Sequence, residues 1–123
     1  MPITLDTAVA ELQRAVPGCP LDPEWTSEGL TYTAFADFAR FICSEAEVLQ
    51  YVDSEAEASQ LSQVQTSMAF LERALRDGDQ DVRDLVHDCI ESLVTCEWVD
   101  HIKNYFGPET NALWVRHFSG LQR

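Results

Sequence analysis

The stretch from Asp77 to Trp98, DGDQDVRDLVHDCIESLVTCEW, leaves a folding chain few choices. At helical spacing, Val82, Leu85, Val86, Cys89 and Leu93 fall on one side. Asp81, Asp84, Asp88 and Glu91 fall on the other, with Asp77 just before them. The apolar side of such a helix has to be covered by other elements, and the acidic side has to face water or a partner. Carboxylates three and four residues apart repel one another, by roughly 0.2–0.5 kcal/mol per pair in an isolated helix. A helix with no further task usually mixes lysine into such a row, and here only Arg83 lies nearby. The helix dipole favours anions at the N-terminus, which accounts for Asp77, Asp79 and Asp81. That effect fades after the first turn and leaves Asp88 and Glu91 to another cause.

The rest of the chain is also helical in pattern. Thr4 can cap a first helix, whose stripe is Leu5, Val9, Leu12 and Val16. Pro17-Gly18 stops it, and residues 17–30 read as a loop with Trp25 as its pin. A second helix from about Thr31 to Val52 carries Phe35, Phe38, Ala39, Ile42, Ala46 and Leu49, with Phe41, Val48 and Val52 at an angle to them. A helix apolar over so much of its girth is central, with neighbours on more than one side. Ser54 and Glu57 have the spacing of a capping box and open a third helix, with the seam Leu61, Val64, Met68, Leu71 and Leu75. Phe70 lies off that seam beside Thr66, Ser67 and Ala74, a side open to another helix. Gly78 caps the end of the third helix and Asp79 the start of the fourth, while Thr95 is a candidate cap for a short fifth. Gly107-Pro108 marks a stop and restart before a last helix with Ala112, Leu113, Trp114 and Phe118. Period-two alternation occurs only over Leu30–Thr33, too short to pair alone. The expectation is an all-α domain over residues 1–123, a compact bundle of about six helices in antiparallel hairpins. The Asp-Gly-Asp-Gln-Asp-Val turn resembles the opening of a HEAT-like helical pair, but no second copy follows at a fixed period.

Charge narrows the choice of partner. Twenty-one acidic residues against eight basic ones give a net charge of −13. Nucleic acid and anionic membranes both require a positive footprint and are disfavoured, whereas a basic protein is favoured. Glu45, Glu47 and Asp53, with Glu55 and Glu57, form a second acidic cluster around the turn between the second and third helices. Capping explains part of it. No apolar run approaches the ~20 residues of a membrane span, and the N-terminus lacks the pattern of a signal peptide. Cys43, Cys89 and Cys96 lie in helical stretches without a close pair, and Cys19 in a turn. They read as buried reduced thiols in a cytoplasmic protein.

Candidate chemistry is sparse. His87 with Glu91, or Asp84 with Asp88, has the i, i+4 spacing of paired ligands, and Cys89, Cys96 and His101 could be gathered for zinc. Cys89 belongs to the apolar side and His87 to the flank, so they do not converge, and there is no CxxC or HExxH. Neither GxSxG, Walker A nor GxGxxG occurs. No metal, no cofactor and no enzymatic activity are expected.

The segment from Asp81 through Leu93, followed by Phe106-Gly107-Pro108 and Leu113-Trp114, resembles a pattern of small acidic helical immunity proteins from polymorphic toxin systems. These protect against Rhs-type, contact-dependent or type VI secreted effectors. The resemblance implies binding to a cognate toxin with its active site covered, and the lack of a signal-peptide pattern implies that the toxin acts in the cytosol. The partner-binding residues would be Asp77, Asp81, Asp84, Asp88 and Glu91, together with Glu45, Glu47 and Asp53, facing toxin lysines and arginines. A secretion chaperone or adaptor is the alternative, and would need an apolar groove, for example between the second and third helices. A DNA mimic would need carboxylates spaced like phosphates over a longer surface than one helix face offers.

Overall fold

A computed structural model describes residues 3–21, 31–51 and 54–118, with side chains from 61 onward in the third helix. Six α-helices are present among these residues: α1 Leu5–Ala15, α2 Thr31–Val48, α3 Ser54–Asp77, α4 Gln80–Leu93, α5 Val99–Ile102 and α6 Pro108–His117. A 3-10 turn, Lys103–Tyr105, extends α5. The all-α bundle expected from the periodicities is the observed fold. Trp25 and Asp53 lie outside the described residues, as do the Ser54 and Glu57 side chains.

The apolar stripes become the core. In α2, Ala34, Phe35, Phe38, Ala39, Ile42 and Ala46 are buried, and the helix touches α1, α3, α4 and α5. The off-seam Phe70 of α3 turns into the same space. Its ring lies 6.2 Å from Phe35 and 6.0 Å from Phe38, and the Phe38 pair meets edge to face. Such pairs add about 0.5–1.5 kcal/mol beyond the area they bury. Ser67 beside them is fully buried, and its hydroxyl donates to the Gln63 carbonyl at 2.7 Å. That bond makes a polar side chain admissible in the core.

The reversals at either end of α3 set helix directions. Gly78 ends α3, and its N–H donates to the Ala74 carbonyl at 2.9 Å. A Cβ at Gly78 would collide with that carbonyl and with Val82. Asp79 starts α4 by accepting the Val82 N–H at 3.0 Å. Because α3 runs back along α2 and α4 runs back along α3, α2 and α4 lie side by side and parallel. Their contact is the most extensive in the fold. Sequence hairpins alone anticipate only neighbours in the chain, so this parallel seam went unforeseen. The N-terminus joins at the α3–α4 reversal, where Ile3 donates to the Asp77 carbonyl and accepts from the Asp79 N–H, both at 3.2 Å. From there α1 runs back along α3, tied by Arg73 to Glu11 at 3.2 Å.

Three local expectations are corrected. Thr31–Thr33 is the first turn of α2, not extended chain. Thr95 does not cap α5: its hydroxyl donates to the Ser92 carbonyl at 3.3 Å, and Trp98 occupies the N-cap position. The cysteines are not all reduced. Cys43 and Cys96 form a disulfide, with Cα atoms 6.0 Å apart. They are separated by 53 positions, and only the parallel seam brings the end of α2 beside the end of α4. A search for closely spaced pairs cannot find such a bond. Cys19 and Cys89 are free and buried. Burial, with Asp37 adding to it, pushes the Cys19 thiol up to about 11. Burial, then Asp88 and Cys19, raises Cys89 as well.

The last helix is held from a distance. Its N-cap residue, Gly107, has no side chain to offer the first N–H groups. Glu72 of α3 supplies the acceptor instead. One carboxylate oxygen accepts the Glu109 N–H at 2.9 Å, and the other accepts the Thr110 N–H and hydroxyl, each at 2.9 Å. The carboxylate thus satisfies orphan donors and sits at the positive end of the α6 dipole.

Three measurements check this arrangement. Replacing Cys43 and Cys96 together by serine should lower stability by about 2–4 kcal/mol in denaturant titration. Non-reducing alkylation should label two thiols, Cys19 and Cys89, only once the protein is unfolded. Phe38→Ala should cost about 3–5 kcal/mol, read as a lower unfolding midpoint with an unchanged slope.

Candidate functional site

The acidic row survives folding as a surface. Val82, Leu85, Val86, Cys89, Ile90 and Leu93 take one side of α4 into the core. Asp81, Asp84, Asp88 and Glu91 are exposed on the other. From Asp81 to Glu91 the row runs about 15 Å along the helix axis. None of the four has an ion-pair partner within 4.0 Å among the described residues. Asp84 accepts one hydrogen bond, from Gln80 Nε2 at 3.0 Å. The charges therefore stand uncompensated on a helix whose other face is fixed by core packing.

Tyr32, in the first turn of α2, belongs to the same surface and was not singled out by the sequence. It is 46% exposed, one of few large apolar residues in that state among the described residues. Its hydroxyl is raised above the ordinary tyrosine range, by desolvation first and then by the carboxylates of Asp84, Asp88 and Asp81 in turn. The parallel seam places it there, 49 positions before Asp81 in the sequence numbering. No local spacing could signal it. An aromatic ring beside a charged row combines contact area with field, and tyrosine is among the residues enriched where interface binding energy concentrates.

The remaining expected site residues are dispersed. Asp77 is the last residue of α3, not the first of the α4 row. Its carboxylate pairs with Arg76 at 3.3 Å, and its carbonyl accepts Ile3. Glu45 and Glu47 sit on the last turns of α2, near the disulfide end, with Glu47 exposed and Glu45 half-buried. Asp53 lies outside the described residues. The row of four with Tyr32 is the part that the fold brings together.

Other chemistry finds little support in the geometry. Among the described residues no three His, Cys, Asp or Glu side chains gather as a metal site. Cys96 is committed to the disulfide and Cys89 is enclosed in the core. The groove anticipated between the second and third helices is lined also by His101, Ile102 and Tyr105, leaving a cavity of about 200 Å³. That is below the ~300–1,000 Å³ of ordinary small-molecule sites. No helix among the described residues is long and apolar enough to cross a membrane.

No curated protein and no solved structure matches this chain. The family described as Domain of unknown function (DUF7674) matches residues 9–120, a span that takes in α2, α4 and α6. The chain belongs to the DUF7674 family.

Proposed function

We propose that this chain acts by binding, as an immunity protein that neutralises a basic toxin through the acidic face of α4. The observation that carries the reading is the row Asp81, Asp84, Asp88 and Glu91, exposed and without cationic partners among the described residues, with Tyr32 beside it. A carboxylate row of this kind attracts a lysine- and arginine-rich surface at long range and accelerates encounter. Tyr32 supplies the anchor that a purely electrostatic surface lacks. The toxin groups so engaged are those that would otherwise hold a phosphate-bearing substrate, so binding covers its active site. No catalytic step is assigned to the chain itself.

The resemblance of the last third of the sequence to immunity proteins supports a cytosolic site of action. The Cys43–Cys96 bond weighs the other way, because disulfides persist in oxidising compartments and are reduced in most cytosols. In a reducing compartment the α2–α4 seam would have to be held by packing alone. A chaperone reading is less well supported, since the groove it requires offers only about 200 Å³ among the described residues.

The deciding experiment compares capture by the native protein with capture by Asp84→Lys, Asp88→Lys, Glu91→Lys in one chain. A basic polypeptide should be retained by the first and lost by the second. That polypeptide, expressed alone, should arrest growth, and co-expression of the native chain should restore it. Tyr32→Ala should weaken the purified complex by about tenfold or more, the scale of an interface anchor. Equal retention by the native and charge-reversed proteins, or a partner without toxicity, would sink the proposal.

A further inference from the structure

Between α4 and α6 lies a cleft of about 360 Å³ that gathers two arginines and two histidines beside Asp84 and Glu109. Arg83 and His87 line it from α4, Arg116 and His117 from α6. The chain has only three histidines, and two of them meet here, with ring centroids 4.9 Å apart. The arginines are set apart by what they lack. Arg14, Arg40, Arg73, Arg76 and Lys103 each sit within 4.0 Å of a carboxylate. Arg83 and Arg116 have no such partner among the described residues, in a protein of charge −13.

The carboxylates that line the same cleft form no ion pair with them. Asp84 is engaged by Gln80 at 3.0 Å, and Glu109 stands more than 4.0 Å from either guanidinium. Helix dipoles explain half of the cluster. Arg116 and His117 close the C-terminal turn of α6, where a cation is favoured. Arg83 follows the first turn of α4, where a cation gains nothing from the dipole. Leu75 and Leu113 add apolar wall to the cleft. A volume in the range of small-ligand sites, an apolar wall and arginines without ion-pair partners favour a ligand with a negative head.

We propose that this cleft binds a small organic oxyanion, a phosphate or carboxylate head held by Arg83 and Arg116 with His87 and His117 donating beside them. The guanidinium fork matches both kinds of head in two-point contact. The imidazoles supply further N–H donors. A polyanion such as nucleic acid is excluded, because the surrounding carboxylates repel any charge beyond the cleft. The site shares Asp84 with the proposed toxin contact, but its arginines and histidines lie off the acidic row and the test below reads them directly, so either proposal can fail alone.

The test follows the histidine ring resonances by NMR while sodium phosphate, and separately sodium acetate, is titrated at constant ionic strength. His87 and His117 should shift saturably while His101, outside the cleft, stays in place. Arg83→Gln and Arg116→Gln, both at exposed positions, should each weaken the response about tenfold, the effect of losing a charge-assisted hydrogen bond. Arg14→Gln on α1 should change nothing. Response to phosphate alone assigns a phosphate ligand, to acetate alone a carboxylate, and to both the shared oxyanion chemistry. The proposal falls if neither salt gives a saturable shift, if His101 moves in step with the other two, or if the double arginine variant, with helicity unchanged by circular dichroism, binds as tightly as the native chain.

Discussion

The parallel seam between α2 and α4 is the contact on which the rest of the molecule depends. It is made by two helices that are not neighbours in sequence, and it exists because α3 reverses the chain twice. Phe35, Phe38 and Phe70 fill the space enclosed by α2 and α3. Leu85, Cys89 and Leu93 bring α4 into the same core. One end of the seam is closed covalently by Cys43 and Cys96. The other end carries Tyr32 beside the first acidic residues of α4. A surface built this way is presented on packed helices, so a partner would meet it with little ordering cost.

The two faces of α4 flank one another, yet their electrostatics differ. Along its outer line Asp81, Asp84, Asp88 and Glu91 gather negative charge. On the flank toward α6, Arg83 and His87 gather donors. Asp84 belongs to both, and its hydrogen bond from Gln80 keeps one oxygen engaged between them. A single helix can serve two kinds of ligand because residues three and four apart share a line, while neighbours in sequence point about 100° apart.

Much of the fold was legible because it is written locally. The stripes of α1, α2, α3 and α4 could be read by spacing, as could the Gly78-Asp79 reversal and the Pro108 restart. Most of the stripe residues are buried, while Leu5, Leu49 and Leu61 are only partly so, and Ala34, Phe70 and Ile90 join the core from outside the stripes. What was not legible depends on helices meeting across long separations. The disulfide, Tyr32 at the acidic row and the pairing of His87 with His117 all arise from contacts that no sequence window contains. Asp81, Asp84, Asp88 and Glu91 stand along one exposed side of α4, as their spacing predicts. Asp77 shares their helical phase but lies beyond the reversal, on another helix.

The capping of α6 by Glu72 links two positions that nothing in the sequence connects. The carboxyl group of Glu72 occupies the space that a side chain at position 107 would fill, since a Cβ there would run into it. Glycine at 107 and glutamate at 72 are therefore one choice, not two. A descendant of this chain that gains a side chain at 107 must give up the reach of residue 72 and find another way to start its last helix. A side chain at 107 is thus expected to call for a compensating change at 72.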